Sequence, residues 1–398
     1  MMLRYSTLRT VVGILYLALC GCKGPVAVTT NGWPKDKLVG RVIQVALGEH
    51  QSCVLFNSGR VACWGDNNQG QLGDGSARSS TAAVILDGLT DIDEIRAADS
   101  TVCARRHDGR VFCWGANSYG QADPRSEMSL SSMPPPNGAF DFVNEPSNYS
   151  PSNLRRSPTE MTWLTRVVSL SLGSGHGCAL HGDGRVSCWG DASRGQLGPG
   201  VPKAAFQRSV VHGIPPMIEV ASASVYSCGR TLDGGVWCWG GYNDHGQLGT
   251  RQPEPFPRQV PGVSKAIGLE LSVGRACAKV VGGSRICWGS NGSCGDTDSK
   301  LAPEAVEGDL GKALSIVQAY GGCFWCTLGA EHQLNCGDMP GNSAAPLLTG
   351  VSTVVTGDDH ACALLLDGSV QCWGSNVRGE LGRRTMAERD PNPGAVQW

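Results

Sequence analysis

Apolar residues along this chain come in short alternating runs, not at the three-to-four spacing of a helix face. Val42-Ile43-Gln44-Val45-Ala46 is one such run. Alternation predicts half-buried strands, because successive side chains on a strand point to opposite faces. Similar short runs recur through residues 37–398, separated by Gly, Pro, Asn, Asp and Ser, with no amphipathic stretch of helical length. A continuous apolar run, Val11 to Leu19, follows Arg4 and Arg9 and is too short to span a bilayer.

The strand pattern is itself periodic. Cys-Trp-Gly begins at Cys63, Cys113, Cys188, Cys238, Cys287 and Cys372. Each time another cysteine lies ten residues upstream: Cys53, Cys103, Cys178, Cys228, Cys277 and Cys362. A seventh pair, Cys326 and Cys336, keeps the spacing and the following Gly337 but not the Trp. Seven units over 37–398 give about 52 residues each, within the range of propeller blades. Between the two cysteines sits a turn with Gly59, Gly109, Gly184, Gly234 or Gly368 where a three-residue hairpin needs a left-handed backbone. Folding there opposes Phe56 to Arg60, Leu55 to Val61, Val54 to Ala62 and Cys53 to Cys63, so each pair is predicted to be a cross-strand disulfide. Closing so short a loop contributes at most about 2–3 kcal/mol, less where the hairpin already holds its ends.

Downstream comes Gly70-Gln71-Leu72-Gly73, with variants at Gly195-Gln196-Leu197-Gly198, Gly246-Gln247-Leu248-Gly249 and Gly379-Glu380-Leu381-Gly382. Each unit thus offers about four short strands. A four-stranded sheet repeated seven times, buried against its neighbours on both faces, closes into an all-β, seven-bladed propeller. His176-Gly177-Cys178-Ala179-Leu180-His181-Gly182-Asp183-Gly184-Arg185-Val186-Ser187-Cys188-Trp189-Gly190 resembles the unit of the regulator of chromosome condensation repeat family. The resemblance covers essentially 37–398 and implies a seven-bladed ring that binds protein partners through rim loops. The sixth unit departs most, with Glu331-His332 in place of Asp-Gly. The final Gly394-Ala395-Val396-Gln397-Trp398 is expected to pair with the first sheet and close the ring.

Composition narrows the function. The chain carries 33 basic and 35 acidic residues for a net charge of -2, so no basic excess exists to hold nucleic acid. Its 18 cysteines point to an oxidising compartment. Leu19-Cys20-Gly21-Cys22 resembles the bacterial lipobox: residues 1–21 read as a lipoprotein signal peptide, Cys22 as the lipid attachment site and 22–36 as a tether. Lys23 after the lipid site resembles the sorting pattern of outer-membrane lipoproteins, so an outer-membrane or cell-surface location is expected. Such a setting disfavours the nucleotide-exchange activity that the family's eukaryotic founders carry.

Setting aside Cys20, Cys22 and the seven pairs leaves Cys294 and Cys323, expected as an eighth disulfide between the fifth and sixth blades. Cys323-Phe324-Trp325-Cys326 has redox or zinc spacing, but Cys326 is committed to Cys336 and no second half-site accompanies it. No metal, cofactor or catalytic motif is expected. His50, His176 and His360 read as hydrogen bonders between strands and loops. The longest departure from the repeat is 123–163, an inserted loop with Phe140, Phe142, Tyr149 and Trp163 beside Arg155 and Arg156, residue types that favour binding hot spots. The expected protein is a monomeric, lipid-anchored scaffold for an unknown protein partner at the cell surface, and not an enzyme. The alternatives are an envelope polysaccharide lyase or hydrolase, which would show acidic or His residues of shifted pKa clustered on a rim, and a self-associating surface protein.

Overall fold

The structure is a computed structural model that describes residues 40–124, 154–204, 206–241, 243–250, 256–290, 300–306, 313–318, 325–337, 347–384 and 387–398. Among the described residues seven antiparallel sheets follow one another along the chain, six of four strands and one of three. Their inner strands are Val42–Leu47, Ile92–Ala98, Val167–Gly173, Met217–Ala223, Ala266–Leu271, Ser315–Gln318 and Val351–Thr356. Together they surround a central channel. The three-stranded sheet is the sixth blade, the one whose sequence departs most from the repeat.

Hairpin register follows from the turn glycines. Gly59, Gly109, Gly184, Gly234 and Gly368 all have φ between 75° and 87°, a region open to Gly at no steric cost. The turns place Cys53 opposite Cys63 and Cys103 opposite Cys113, and so on around the ring. All seven pairs with a spacing of ten form disulfides, with Cα atoms 4.0–4.1 Å apart, the close approach of a non-hydrogen-bonded pair.

The core is divided. Six buried clusters are sandwiched between adjacent blades, as sheets with two apolar faces require. At the junction of blades 5 and 6 a charge is buried instead. Arg285 is fully buried, and its guanidinium meets Glu270 at 2.6 and 2.9 Å while donating to the Ala313 carbonyl at 2.5 Å.

Two expectations need correction. The C-terminal segment does not complete the first sheet: Arg389–Ala395 pairs with Val370–Ser375 inside blade 7. The first sheet already has four strands of its own and offers no vacancy. Closure is by side chains, with Val396 in the cluster between blades 7 and 1 and Trp398 edge-on to Phe56 and Trp64, each at 5.8 Å. The insertion expected over 123–163 is also shorter, because its last part is Arg155–Glu160, the outer strand of blade 2.

Candidate functional site

The ring has two unlike rims. On one, the turn rim, the second and third strands of each blade are joined by short turns, with Gly at the left-handed position except in blade 6, where His332 takes it, and the inner strands begin there. At the other, the loop rim, the third strands end and the outer strands begin.

The two most recurrent sequence signatures meet at the joints between blades. The indole N–H of Trp114 donates to the Gln71 carbonyl at 3.0 Å, Trp189 to Gln121 at 2.8 Å, Trp239 to Gln196 at 3.1 Å and Trp288 to Gln247 at 2.9 Å. Trp64 closes the circle on the Glu380 carbonyl at 2.7 Å. Each Trp is thus held by the Gly-Gln-Leu-Gly loop of the blade before it, or by its variants Gly120-Gln121-Ala122-Asp123 and Gly379-Glu380-Leu381-Gly382, which is why the two motifs recur together. Trp373 follows the irregular sixth blade, and its buried N–H finds no acceptor among the described residues.

Two of the three histidines hydrogen-bond from blade to blade, not from strand to loop as expected. His176 Nε2 lies 3.0 Å from Ser227 Oγ, and His360 Nε2 lies 3.0 Å from Ser52 Oγ. Burial holds His176 down at about 4 and His360 at about 3, so both are neutral at pH 7. His50 is displaced by one position, since Gln51 occupies the register of His176 and His360. His50 instead lies 3.4 Å from Glu380 Oε1 and 3.5 Å from Glu49 Oε1.

The channel encloses about 400 Å³ and is lined by inner-strand residues of all seven blades. At its loop-rim mouth the carboxyls of Asp99 and Asp358 face each other's charge with Glu49 beside them. Burial pushes Asp99 up to about 6, against a hydrogen bond from Ser174 and with help from Glu49. Burial, then the charges of Glu49 and Asp99, push Asp358 up to about 7. This acidic mouth escapes sequence reading, because its members come from blades 1, 2 and 7. Among the described residues no group of three or more His, Cys, Asp or Glu is arranged to hold a metal ion.

Of the residues expected to bind, Cys22, Phe140, Phe142, Tyr149 and the pair Cys294 and Cys323 lie outside the described residues. The other three sit at structural joints. Arg155 reaches Asp123 at 3.3 Å, and the Arg156 carbonyl accepts from Gly75 of blade 1. Trp163 packs edge-on against Trp189 at 5.8 Å beneath the Arg208 guanidinium. They are distributed over two junctions and form no common patch.

A family model of the regulator of chromosome condensation (RCC1) repeat matches residues 42–71, 95–121, 167–196 and 351–380, and a second model of that repeat matches 233–287. The chain is 28% identical over 258 residues to the ultraviolet-B receptor UVR8 of Arabidopsis thaliana, covering 57% of this chain and 58% of the receptor. It is 29% identical over 238 residues to the probable E3 ubiquitin-protein ligase HERC6 of Homo sapiens, covering 56% of this chain and 20% of that one. The chain therefore spans less than two thirds of the length of these relatives. Among solved structures, human WBSCR16 superposes over 91% of this chain and 83% of its own at a TM-score of 0.56 and 19% identity. Prp20p from Saccharomyces cerevisiae does so over 91% and 78% at 0.53 and 17%.

Proposed function

Because the chain belongs to the regulator of chromosome condensation (RCC1) repeat family, we propose that its ring is a rigid protein-binding scaffold, held at a bacterial envelope by a lipid on Cys22. At the coarse level the fold supports a protein-binding role: Prp20p, of the same fold, was solved with its binding properties toward Gsp1p and histones. The observation that carries the reading is the division of labour between rims. One is built from short repeated turns, while the other gathers unlike connections on a stiff ring. A scaffold of this kind limits the ordering entropy lost on binding, since only loop tips have freedom to lose. Seven disulfides fit the oxidising compartment that the leader implies. The carboxyls at the channel mouth would draw a basic segment of the partner toward the loop rim.

The same carboxyls favour the second reading, an enzyme acting on an envelope polysaccharide, because raised carboxyl pKa values are also what general acids display. A crosslinking capture on live cells separates the two. The bait is the full chain beside a version lacking residues 126–152, a deletion that spares the outer strand Arg155–Glu160. A specific protein recovered by the first and lost or weakened with the second, or with Asp358→Asn, supports the scaffold. Failure to recover any specific protein, with release of sugar from envelope glycans abolished by Asp358→Asn, would replace it with the enzyme.

A further inference from the structure

Eight of the eleven large apolar side chains left exposed among the described residues lie on the turn rim. Five of them occupy one position around the channel: Ile43, Val168, Ile218, Ile267 and Leu314, exposed by 39–49%. In the first four of those blades a bulge at the start of the inner strand turns this residue outward. The other three cap hairpin turns farther out: Leu232 at 83%, Val281 at 65% and Leu366 at 49%. Two blades interrupt the arc: blade 2, with Asp93 and His107 at the corresponding places, 3.5 Å apart, and blade 7, with Ser352 at the bulge.

We propose that this arc is a lipid-docking face, which rests on the bilayer that anchors Cys22 and turns the loop rim away from it. The inference depends on the lipid-anchor reading above. The occupant follows from where the chain enters. Arg41 leads into the first inner strand on this same rim, tied by its N–H to Asn57 Oδ1 at 3.0 Å and by its carbonyl to the Asn57 N–H at 2.9 Å. Residues 23–39 between the lipid site and the ring span at most about 60 Å when fully extended. So short a tether keeps the rim at an effective concentration in the millimolar range, where a weak apolar contact becomes occupied.

Shape and charge agree. Equivalent positions of a rigid ring lie at one height, so the aliphatic side chains form a flat array, suited to a planar surface and not to a protruding peptide. Arg41, Arg166 and Lys265 are exposed, each two residues before one of the exposed aliphatics. The Arg41 guanidinium donates to the Leu366 carbonyl at the edge of this face, while the long stems of Arg166 and Lys265 can lie along apolar surface with their charges at headgroup phosphates. Of the turn acids on this rim, Asp108 and Asp183 pair with Arg110 and Arg185, whereas Asp233 and Asp367 accept from Thr231 and Ser369 and keep their negative charge.

The test reconstitutes the full chain, processed by a bacterial host, into vesicles of phosphatidylethanolamine and phosphatidylglycerol at 3:1, by order of magnitude the anionic content of an envelope membrane. Amide exchange is compared with the triple variant Leu232→Asp, Val281→Asp, Leu366→Asp. All three positions are exposed turns, and Val377→Asp on the loop rim is the control. The unsubstituted turns at 57–60 and 182–185 should exchange at least about fivefold more slowly in the parent and the control than in the triple variant. Equal exchange in all three overturns the proposal. So does a concentration-dependent dimer, or capture of a specific protein, that the triple substitution abolishes without changing exchange on vesicles. The mass of the N-terminal peptide reports separately whether Cys22 carries lipid. If it does not, the chain is added to the vesicles from solution and the same exchange is read, so the anchor and the docking face fail independently.

Discussion

Replacing Trp114 and Trp373 each by Phe isolates the energy of one joint in the ring. Both indoles are buried, at 0% and 3% exposure, and both lose the same atoms, so the packing loss is similar. Only Trp114 donates its N–H to a neighbouring blade, to Gln71 at 3.0 Å, whereas the Trp373 N–H has no acceptor among the described residues. Trp114→Phe therefore strands a buried carbonyl, at a cost of about 1–3 kcal/mol. Trp373→Phe instead removes a buried donor that was already unpaired. The first variant should be less stable than the second by about 1–3 kcal/mol, read as a difference in urea midpoint at unchanged slope with the disulfides intact. Equal midpoints, or a larger loss in Trp373→Phe, would refute the claim that these hydrogen bonds hold the blades together.

Gly73 has φ of 73°, and a Cβ there would stand 2.8 Å from Trp114 Nε1 and Leu86 Cδ2. Gly73→Ala should cost about 2–4 kcal/mol by thermal or urea unfolding, against about 1 for Gly88→Ala, whose φ is 85° with open space around it. Removing Cys103 and Cys113 together by substitution with Ala should lower stability by less than about 3 kcal/mol and leave blade 2 folded, since the hairpin closes its own loop. Asp99 is raised to about 6, so the folded state holds a proton that the unfolded chain releases near 3.8, and stability falls as pH rises through that window. Asp99→Asn should therefore gain stability over the parent at pH 8 and not at pH 3, by urea midpoints. His360 works with the opposite sign: its folded value of about 3 lies below the ordinary 6.5, so its contribution is complete above pH 6.5 and fades as pH falls toward 3. His360→Gln should flatten the acid limb of the same profile.

The architecture was legible because it repeats. Cys53 and Cys63 with Gly59 between them fix a hairpin, and seven copies of a hairpin with two apolar faces fix a ring. Joints were harder to read, since the partner of Trp114 lies 43 residues away in a different motif, and nothing local links an indole to a backbone carbonyl. The apolar pattern of the C-terminal strand says that it pairs, and not with which edge. Arg155 and Trp163 were read as a binding loop because their segment breaks the period. In the structure the chain returns from that break through residues that build blade 2. The turn-rim arc did leave a trace: Val42-Ile43, Val167-Val168, Met217-Ile218 and Ala266-Ile267 put two apolar residues in succession where strict alternation buries one, and the second is the bulge. The acidic mouth left none, because Asp99 and Asp358 are far apart in sequence and come near each other only when blades 7, 1 and 2 stand side by side in the closed ring.

Among the described residues each blade is made from one continuous stretch of chain, and none borrows a strand from the other terminus. Assembly can therefore run in step with synthesis, every new blade capping the apolar face left open by the last, over local contacts of the kind that form quickly. Only one junction cannot form in that order. The cluster of Val42, Val45, Phe56 and Trp64 must wait for Leu364, Val370, Leu381 and Val396, made some three hundred residues later. Until then the first blade is a nucleus with an unsatisfied face, and a chain cut short before residue 351 would leave it so permanently. The final docking of Trp64 on the Glu380 carbonyl is thus the point at which an unfinished or truncated chain becomes distinguishable from a completed ring.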